Sequence, residues 1–192
     1  MKFDFCLRNF KICFNYNSPV ILSFFFLCLL VFFLNKLTKG KSNDYLFTNC
    51  RGSLFNPLTY FRIFSHILGH SNWEHLRNNF VFILLLGPIL EEKYGSIQLL
   101  YIILITAAVT GIINMIFVGN RIIGSSSISF MLKVLVSLVN LNNNSIPITL
   151  ILIFIFFIFD EIYAVFFKKD NVSHISHLIG AICGCIYGYL IL

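Results

Sequence analysis

Long apolar runs constrain the fold of this chain more than any other feature of its sequence. A helix that spans a bilayer needs about 20 mostly apolar residues, within a range of about 17–25. Lipid offers no hydrogen-bond partner to the backbone, so every backbone polar group must be paired within the protein. A helix pairs these groups along its own length, and such runs therefore favour helices. The sequence therefore predicts an all-α membrane protein with six transmembrane helices. The six segments are residues 19–34, 73–91 (apolar part 80–86), 97–118, 126–141, 146–159 with an extension to 167, and 172–192.

The composition supports this prediction. Of the 192 residues, 58% are hydrophobic and 11% are charged, whereas a soluble domain has about 45–50% apolar and about 25% charged residues. The net charge of +6 would indicate a nucleic-acid partner only if basic residues clustered on a soluble face. They lie in the loops between apolar runs, with Lys133 as the exception. We therefore expect a lipid bilayer around the protein and no nucleic acid.

The chain is predicted to form one membrane domain. Residues 1–18 are interpreted as a short N-terminal cytoplasmic segment and residues 19–192 as the membrane domain. Basic residues before the first apolar run are also typical of a secretory signal, but no small-residue cleavage site follows, so we interpret the run as a retained helix. The first loop, residues 35–72, contains glycine, proline, aromatic and basic residues. We expect this loop to be partly embedded in the membrane interface.

Two polar interruptions occur in the second half of the chain. Asn142-Asn143-Asn144 is predicted to form a short loop. Asp160 and Glu161 follow the fifth apolar run. Either this helix tilts little and ends before them, or the acidic pair faces water or the bundle interior. The cysteines lie mostly in or beside apolar runs without the spacing of a metal pair, so we interpret them as packing residues. They are Cys6, Cys13, Cys28, Cys50, Cys183 and Cys185.

Polar side chains gather at the starts of three of the six predicted helices. In a six-helix serpentine chain, the second, fourth and sixth helices all begin on the same side of the membrane. Three separate regions of sequence therefore converge on one membrane face. The residues are His70, Asn72, His75 and Asn79 in the second helix, Gly124, Ser125, Ser126 and Ser127 in the fourth, and Ser173, His174, Ser176 and His177 in the sixth.

Ser126 is a candidate nucleophile at the start of the fourth helix. The first backbone N–H groups of a helix lack intrahelical partners, and the helix dipole is positive there. Such a terminus favours a developing oxyanion. The alternative is that Ser125, Ser126 or Ser127 serves only as an N-cap.

His177 is the candidate general base. At 100° per residue, His177, Gly184 and Gly188 share one helical face within about 20°, and glycines spaced by four let membrane helices approach closely. The imidazole therefore projects from the face that is best able to press against another helix. The alternative is an interfacial histidine bonded to a backbone carbonyl.

Two further pairs are spaced by four residues in the second helix and the loop before it. His75 and Asn79 lie on one helical face and both can donate hydrogen bonds, which suits an oxyanion pocket. The alternative is that they join neighbouring helices. His66 and His70 have a spacing that could hold a metal, but no H-E-x-x-H motif and no completing Cys or Asp accompanies them, so no metal is expected.

In chain order these residues resemble the motifs of the rhomboid family of intramembrane serine proteases, over about residues 51–192. The histidines and Asn79 repeat the family's spacing of 4, 5 and 4. Each motif is weak alone, and their order on six spans carries the resemblance. The motifs are Phe61-Arg62-Ile63-Phe64-Ser65-His66 (aromatic-Arg-x-x-x-His), His66/His70/His75/Asn79, Gly87/Glu91/Gly95 (G-x-x-x-E-x-x-x-G), Gly124-Ser125-Ser126 (G-x-S) and His177-Leu178-Ile179-Gly180 (H-x-x-G).

The resemblance implies a role for each matched residue. Ser126 would be the nucleophile and His177 the general base of a dyad that has no carboxylate member. The oxyanion hole would consist of the Ser126 backbone N–H with the side chains of His75 and Asn79. The implied supporting residues are Gly124, Phe130 (an aromatic packed on the catalytic histidine), His70 and Gly180.

The chain departs from the family pattern at two positions. Ser127 replaces the glycine that usually follows the nucleophile, and its side chain could crowd the turn or compete as a hydroxyl. Lys133 lies seven residues after Ser126, nearly on the same helical face. A charge there must extend to the opposite interface or find a partner.

The basic loops and the family resemblance imply opposite orientations. The side with the starts of helices two, four and six carries more basic residues than the other side, so a positive-inside count would put the site in the cytoplasm. The family places it near the outer face, which is the orientation we expect. The first side includes Lys36, Lys39, Lys41, Lys168 and Lys169, and the opposite side has chiefly Lys2, Arg8, Lys11 and Lys93.

The expected function is an intramembrane serine endopeptidase without a cofactor, multi-pass in a bacterial plasma membrane, acting on transmembrane proteins. The bacterial location follows from the lack of added domains and of a transit segment. Three alternatives stand beside it. The chain could be an inactive rhomboid-like protein that binds membrane clients, a transporter or channel, which would show paired repeats of broken helices, or a metal-dependent enzyme.

Overall fold

The computed structural model describes residues 4–7, 12–139, 148–168 and 172–190. Helices dominate these residues, and π-helical turns occur at Asn43–Phe47, Asn114–Val118 and Phe154–Ile158. The last turn joins two α-helices into one unbroken rod. The elements are β1 Asp4–Leu7, β2 Ile12–Asn15, α1 Pro19–Leu37, α2 Pro57–Ser65, α3 Trp73–Tyr94, α4 Ser96–Ile113, α5 Ser126–Ser137, α6 Ile148–Ile153, α7 Phe159–Phe167 and α8 His174–Leu190.

Helices lie within all six predicted segments. Three are long and apolar enough to cross a membrane, namely Pro19–Leu37, Ser96–Val118 and the rod Ile148–Phe167. Helices α5 and α8 are apolar but shorter, and α3 has 22 residues with charged groups near both ends. A membrane protein is confirmed on this basis, and the count of six spans stays a prediction.

Some predicted features lie outside the described residues. They include the Asn142-Asn143-Asn144 loop, the start of the fifth span at residue 146, and the basic residues Lys2, Arg8, Lys11 and Lys169. The N-terminal segment was predicted without strands, but β1 and β2 pair antiparallel there, with Phe5 opposite Phe14. Strand pairing between such short segments gives no long periodic pattern, which is why the sequence did not reveal it.

Helix α5 lies at the centre of the bundle. Ten of its residues are buried, from Ser127 to Ser137, and they pack mainly against α3, α4 and α8. The closest contact is with α8, where glycines replace side chains. A Cβ atom added at Gly184 would lie 2.6 Å from the Met131 carbonyl oxygen. The predicted face of glycines therefore lies against the helix that begins with Ser126.

A buried carboxylate fixes the start of α1. Glu91 accepts hydrogen bonds from the backbone N–H groups of Val20 and Ile21 at 2.9 and 3.0 Å, and from the Ser96 hydroxyl at 2.7 Å. These N–H groups belong to the first turn of α1, where no intrahelical acceptor exists and the dipole favours negative charge. Glu91 thus ties α1, α3 and α4 together at the membrane face where α3 ends.

Candidate active site

A cavity of about 480 Å³ lies where α3, α5 and α8 begin. Residues at the starts of all three helices line this cavity, together with His66 and Ser71 from the first loop. The convergence expected from the alternation of helix directions is therefore present as a physical space. Its polar lining includes His66, Ser71, His75, Gly124, Ser126, Ser127, Ser173, Ser176 and His177.

Ser126 is the first residue of α5 and lines this cavity. Within the described residues its hydroxyl makes no hydrogen bond, and Ser125, the residue at the N-cap position, makes no side-chain capping bond. The Ser125 hydroxyl instead lies 3.2 Å from His70 Nε2. The capping role that a serine could have at this terminus is thus not seen.

The turn before Ser126 is held by backbone contacts with the first loop. Ile122 and Asn49 exchange two backbone hydrogen bonds, and the Gly124 N–H donates to the His66 carbonyl at 2.9 Å. Gly124 has φ +118, a value that L side chains rarely adopt. A Cβ atom there would also lie 2.6 Å from His75 Nε2. Glycine is therefore required both by the backbone and by the neighbouring imidazole.

His177 lies in the first turn of α8 and is buried. Its ring stacks on Phe130 with 4.5 Å between centroids and an 8° angle between planes. No hydrogen bond joins His177 to Ser126 among the described residues, although both line the cavity. Gly180 follows one turn later, where a Cβ atom would overlap the Ser127 carbonyl oxygen. Close approach of α8 to α5 thus depends on Gly180 and positions His177 beside the start of α5.

His75 and Asn79 place hydrogen-bond donors beside Gly124. His75 Nδ1 lies 3.1 Å from the Ser71 hydroxyl, which leaves Nε2 facing the turn. Asn79 is 7% exposed, and its Nδ2 has no partner within the described part of the chain. That nitrogen would lie 3.6 Å from a Cβ atom at Gly124. An unpaired amide and an imidazole nitrogen therefore meet the free N–H groups at the start of α5.

His66 and His70 act as buried struts of the first loop. His66 Nδ1 donates to the Ile63 carbonyl at 2.9 Å, and burial lowers the pKa of His66 to about 4. His70 Nδ1 donates to the Leu68 carbonyl, so its Nε2 accepts from the Ser125 hydroxyl. Burial, with a smaller effect of His75, lowers the pKa of His70 to about 3. Both are neutral at pH 7, and His70 has no ring nitrogen left for a metal.

A carboxylate and a histidine that sequence reasoning did not assign also meet His177. Asp160 is exposed, but Glu161 on α7 points inward, and its Oε2 lies 2.9 Å from His177 Nδ1 and 2.6 Å from His174 Nδ1. Three such groups can hold a metal ion. A zinc ion bonded at about 2.0 Å to each would hold them farther apart than these hydrogen-bond distances. An acidic residue at membrane depth indicated a functional role for Glu161, but the spacing of residues in the sequence could not identify the histidines that it contacts.

The two departures from the family pattern are both buried. Ser127 lines the cavity, and its hydroxyl has no partner among the described residues. Lys133 does not extend to an interface. Its Nζ lies 3.8 Å from the ring centroid of Phe82, 4.3 Å from that of Phe130 and 4.5 Å from that of Phe157. Cation–π attraction to three rings gives the buried ammonium its partners.

Comparison with known proteins gives one family. A model of the Rhomboid domain matches residues 57–192, which is most of the chain and includes all the cavity residues described above. No curated protein shows significant similarity to the chain.

Proposed function

The chain belongs to the rhomboid family, and we propose that it is an intramembrane serine endopeptidase that cleaves transmembrane segments of other membrane proteins. The observation that supports this most is the shared cavity of Ser126 and His177, with donors on His75 and Asn79 beside it. Ser126 is half-buried and His177 is buried, and polar side chains inside a membrane bundle are costly unless they have partners or a task. Hydrolysis by this pair needs no cofactor.

The proposed reaction follows from the chemistry of these groups. His177 takes the proton of the Ser126 hydroxyl as the oxygen attacks the scissile carbonyl. The Ser126 N–H, His75 and Asn79 stabilise the oxyanion, and His177 then protonates the leaving amine. Water hydrolyses the acyl-enzyme. The absence of a direct Ser126–His177 hydrogen bond fits a resting state, because catalytic hydrogen bonds often tighten only with substrate bound.

Substrate is proposed to enter sideways, between α3 and the α6–α7 rod. The rings of Phe82 on α3 and Phe157 in the rod meet there at 6.2 Å between centroids, so entry requires this contact to open. A transmembrane helix must also unwind, because its carbonyls are already hydrogen-bonded. Substrates with small or helix-breaking residues near the cleavage site are therefore favoured.

Serine substitutions test the proposal. Purified protein in detergent would be given a model transmembrane substrate and, separately, a fluorophosphonate probe. Ser126→Ala is expected to abolish labelling and to lower turnover by at least about 10³-fold. Ser125→Ala and Ser127→Ala serve as matched controls and should leave a measurable rate, and chelators should have no effect. Cleavage by Ser126→Ala at the wild-type rate would refute the assignment.

An inactive, client-binding protein is the second candidate. The observation in its favour is the buried Ser127, next to the nucleophile and without a hydrogen-bond partner in the described residues. Folded wild-type protein that takes up no probe, yet retains transmembrane helices in a pull-down, would select this candidate.

We further propose a bacterial plasma membrane with the cavity toward the outer face. Labelling of a cysteine placed at Ser71 by an impermeant reagent on intact cells tests that orientation.

A further inference from the structure

The rod and α8 are joined by one carboxylate. Glu161 Oε2 lies within hydrogen-bond distance of two imidazole nitrogens, 2.9 Å from His177 Nδ1 and 2.6 Å from His174 Nδ1. The three side chains are only 11–15% exposed. Water can therefore compete only weakly for these contacts, and a carboxylate held in this way orients the rings that it touches.

We propose that Glu161 is a positioning residue for His177, which gives this chain a Ser126–His177–Glu161 triad. The inference rests on the proposed peptidase function and extends it. A dyad without a carboxylate is what the family resemblance implies, so the third member is a feature of this chain. It comes from the fifth predicted span, whereas Ser126 and His177 come from the fourth and sixth.

The contact suits the task because it is made by one ring nitrogen of His177, Nδ1. His177 Nδ1 lies 2.9 Å from the carboxylate, although it makes no hydrogen bond within the described residues. When the ring turns its Nδ1–H toward Glu161, the lone pair of the neutral ring is on Nε2, the nitrogen needed for a general base. The flat face of the ring meanwhile stacks on Phe130 at 4.5 Å. One contact holds the ring edge and the other holds the ring plane, so together they fix its orientation.

The proton steps balance without any change in Glu161. The Ser126 proton passes to His177 Nε2 as the oxygen–carbonyl bond forms, which leaves an imidazolium whose Nδ1–H still points at the ionised carboxylate. The imidazolium then gives the Nε2 proton to the leaving amine as the peptide bond breaks. Glu161 stays ionised throughout and stabilises the cation electrostatically.

The carboxylate serves a second imidazole as well. His174 lies one turn before His177 on α8 and takes the shorter contact with the same oxygen. This 2.6 Å hydrogen bond holds the Glu161 side chain against α8. His174 therefore positions the carboxylate, and the carboxylate positions His177.

Glu161→Gln tests the triad because the amide keeps the shape and removes the charge. The matched control is Asp160→Asn, which makes the same kind of change at the exposed neighbour. Initial rates would be measured with a model transmembrane substrate in proteoliposomes. We expect Glu161→Gln to lower kcat by about 10²–10⁴-fold with KM nearly unchanged, and Asp160→Asn to match the wild type. Glu161→Asp should recover part of the lost kcat.

The outcomes separate this inference from the proposed function. An active wild type with a Glu161→Gln variant of equal kcat overturns the triad and leaves the peptidase intact, whereas an inactive, unlabelled wild type overturns the peptidase itself. If Glu161→Gln does not fold, Glu161→Asp decides. A folded aspartate variant with kcat reduced roughly 10–100-fold at constant KM supports positioning, and one with full kcat contradicts it.

Discussion

Helix α8 and the α6–α7 rod both contribute side chains near the candidate site and pack beside α5, but they are held in place in different ways. On α8, the glycines at 180, 184 and 188 let its backbone lie directly on α5. In the rod, α6 buries no residue, and Ile158 and Ala164 are the buried residues of the remainder. The rod meets the bundle through side chains instead. Ile158, with the half-buried Leu150, Ile153 and Phe157, belongs to one apolar cluster with residues of α5 and α8, and Glu161 contacts α8.

The proposed protease function requires two properties, and this difference assigns each of them to a different element. The distance between a nucleophile and its base must be constant, which close backbone packing in a membrane provides. A substrate helix must also be admitted, and an element held by few buried contacts opens at lower cost. Under the proposed function, Ser126 and His177 therefore lie on the closely packed side, and the substrate entrance lies on the weakly held side.

Breaking the fixed side should have the largest effect. Gly184→Val would drive a branched side chain against the Met131 carbonyl and Val134, which lie 2.6 and 3.0 Å from the added Cβ atom. Overpacking typically costs about 1–3 kcal/mol, and we expect activity to be lost as α8 moves away. Thermal unfolding in detergent and cleavage rate measure the two effects. Ile186→Val puts the same side chain on an exposed position of α8 and should be silent; equal damage there would refute the comparison.

Low pH should destabilise the first loop, which contacts the start of α5. Burial lowers the pKa of His66 to about 4 and that of His70 to about 3, against about 6.5 in the unfolded chain. Below pH 6.5 these histidines bind protons in the unfolded state but not in the folded state, so the free energy of unfolding falls as the pH falls. At pH 5 the loss is roughly 2 kcal/mol for each histidine.

Thermal unfolding between pH 8 and pH 4.5 measures this loss. His66→Gln and His70→Gln replace an imidazole by an amide that does not titrate in this range. The double variant should therefore show a flatter dependence of the unfolding temperature on pH, whatever its stability at pH 8. A slope as steep as that of the wild type would show that other groups cause the acid sensitivity.

The weakly held side can be probed through the Lys133 contact with the rod. Lys133→Met keeps the length of the side chain and removes its charge, and Phe157→Leu removes the ring that lies 4.5 Å away. In a double-mutant cycle the two changes should couple by about 0.5–2 kcal/mol. The matched cycle with Phe156→Leu, an exposed neighbour, should show no coupling. Equal coupling in both cycles would mean that Lys133 does not hold the rod through Phe157.

Periodicity and motif order predicted much of this arrangement, and the physical reason is that both are local. Runs of apolar residues place helices, and the alternation of helix directions brings Ser126, His75 and His177 to one end of the bundle. The glycine face predicted where α8 can lie close to a neighbour. Each of these inferences needs only the residues of one helix at a time.

The missed features depend on contacts between residues far apart in the chain. Glu161 could be recognised as an acidic residue at membrane depth, but its partner was decided by the rotation of the rod against α8. The Lys133 site needs three rings from α3, α5 and the rod, and Glu91 needs the start of α1. No spacing within one segment encodes such contacts, because packing angles between helices decide them.

The smallest effect on activity is expected at Ser127, next to the proposed nucleophile Ser126. Glycine is less favourable than serine in a helix by less than about 1 kcal/mol. The substitution would also remove a buried hydroxyl that has no partner within the described residues, and such a hydroxyl costs about 1–3 kcal/mol. The second contribution is the larger, so Ser127→Gly should raise the unfolding free energy by about 2 kcal/mol or less. Because its backbone position stays against Gly180, probe labelling of Ser126 should continue near the wild-type rate. Ser125→Ala loses the hydrogen bond to His70 and should instead lower the unfolding free energy. Abolished labelling in a folded Ser127→Gly protein would instead identify the Ser127 hydroxyl as part of the reactive pair.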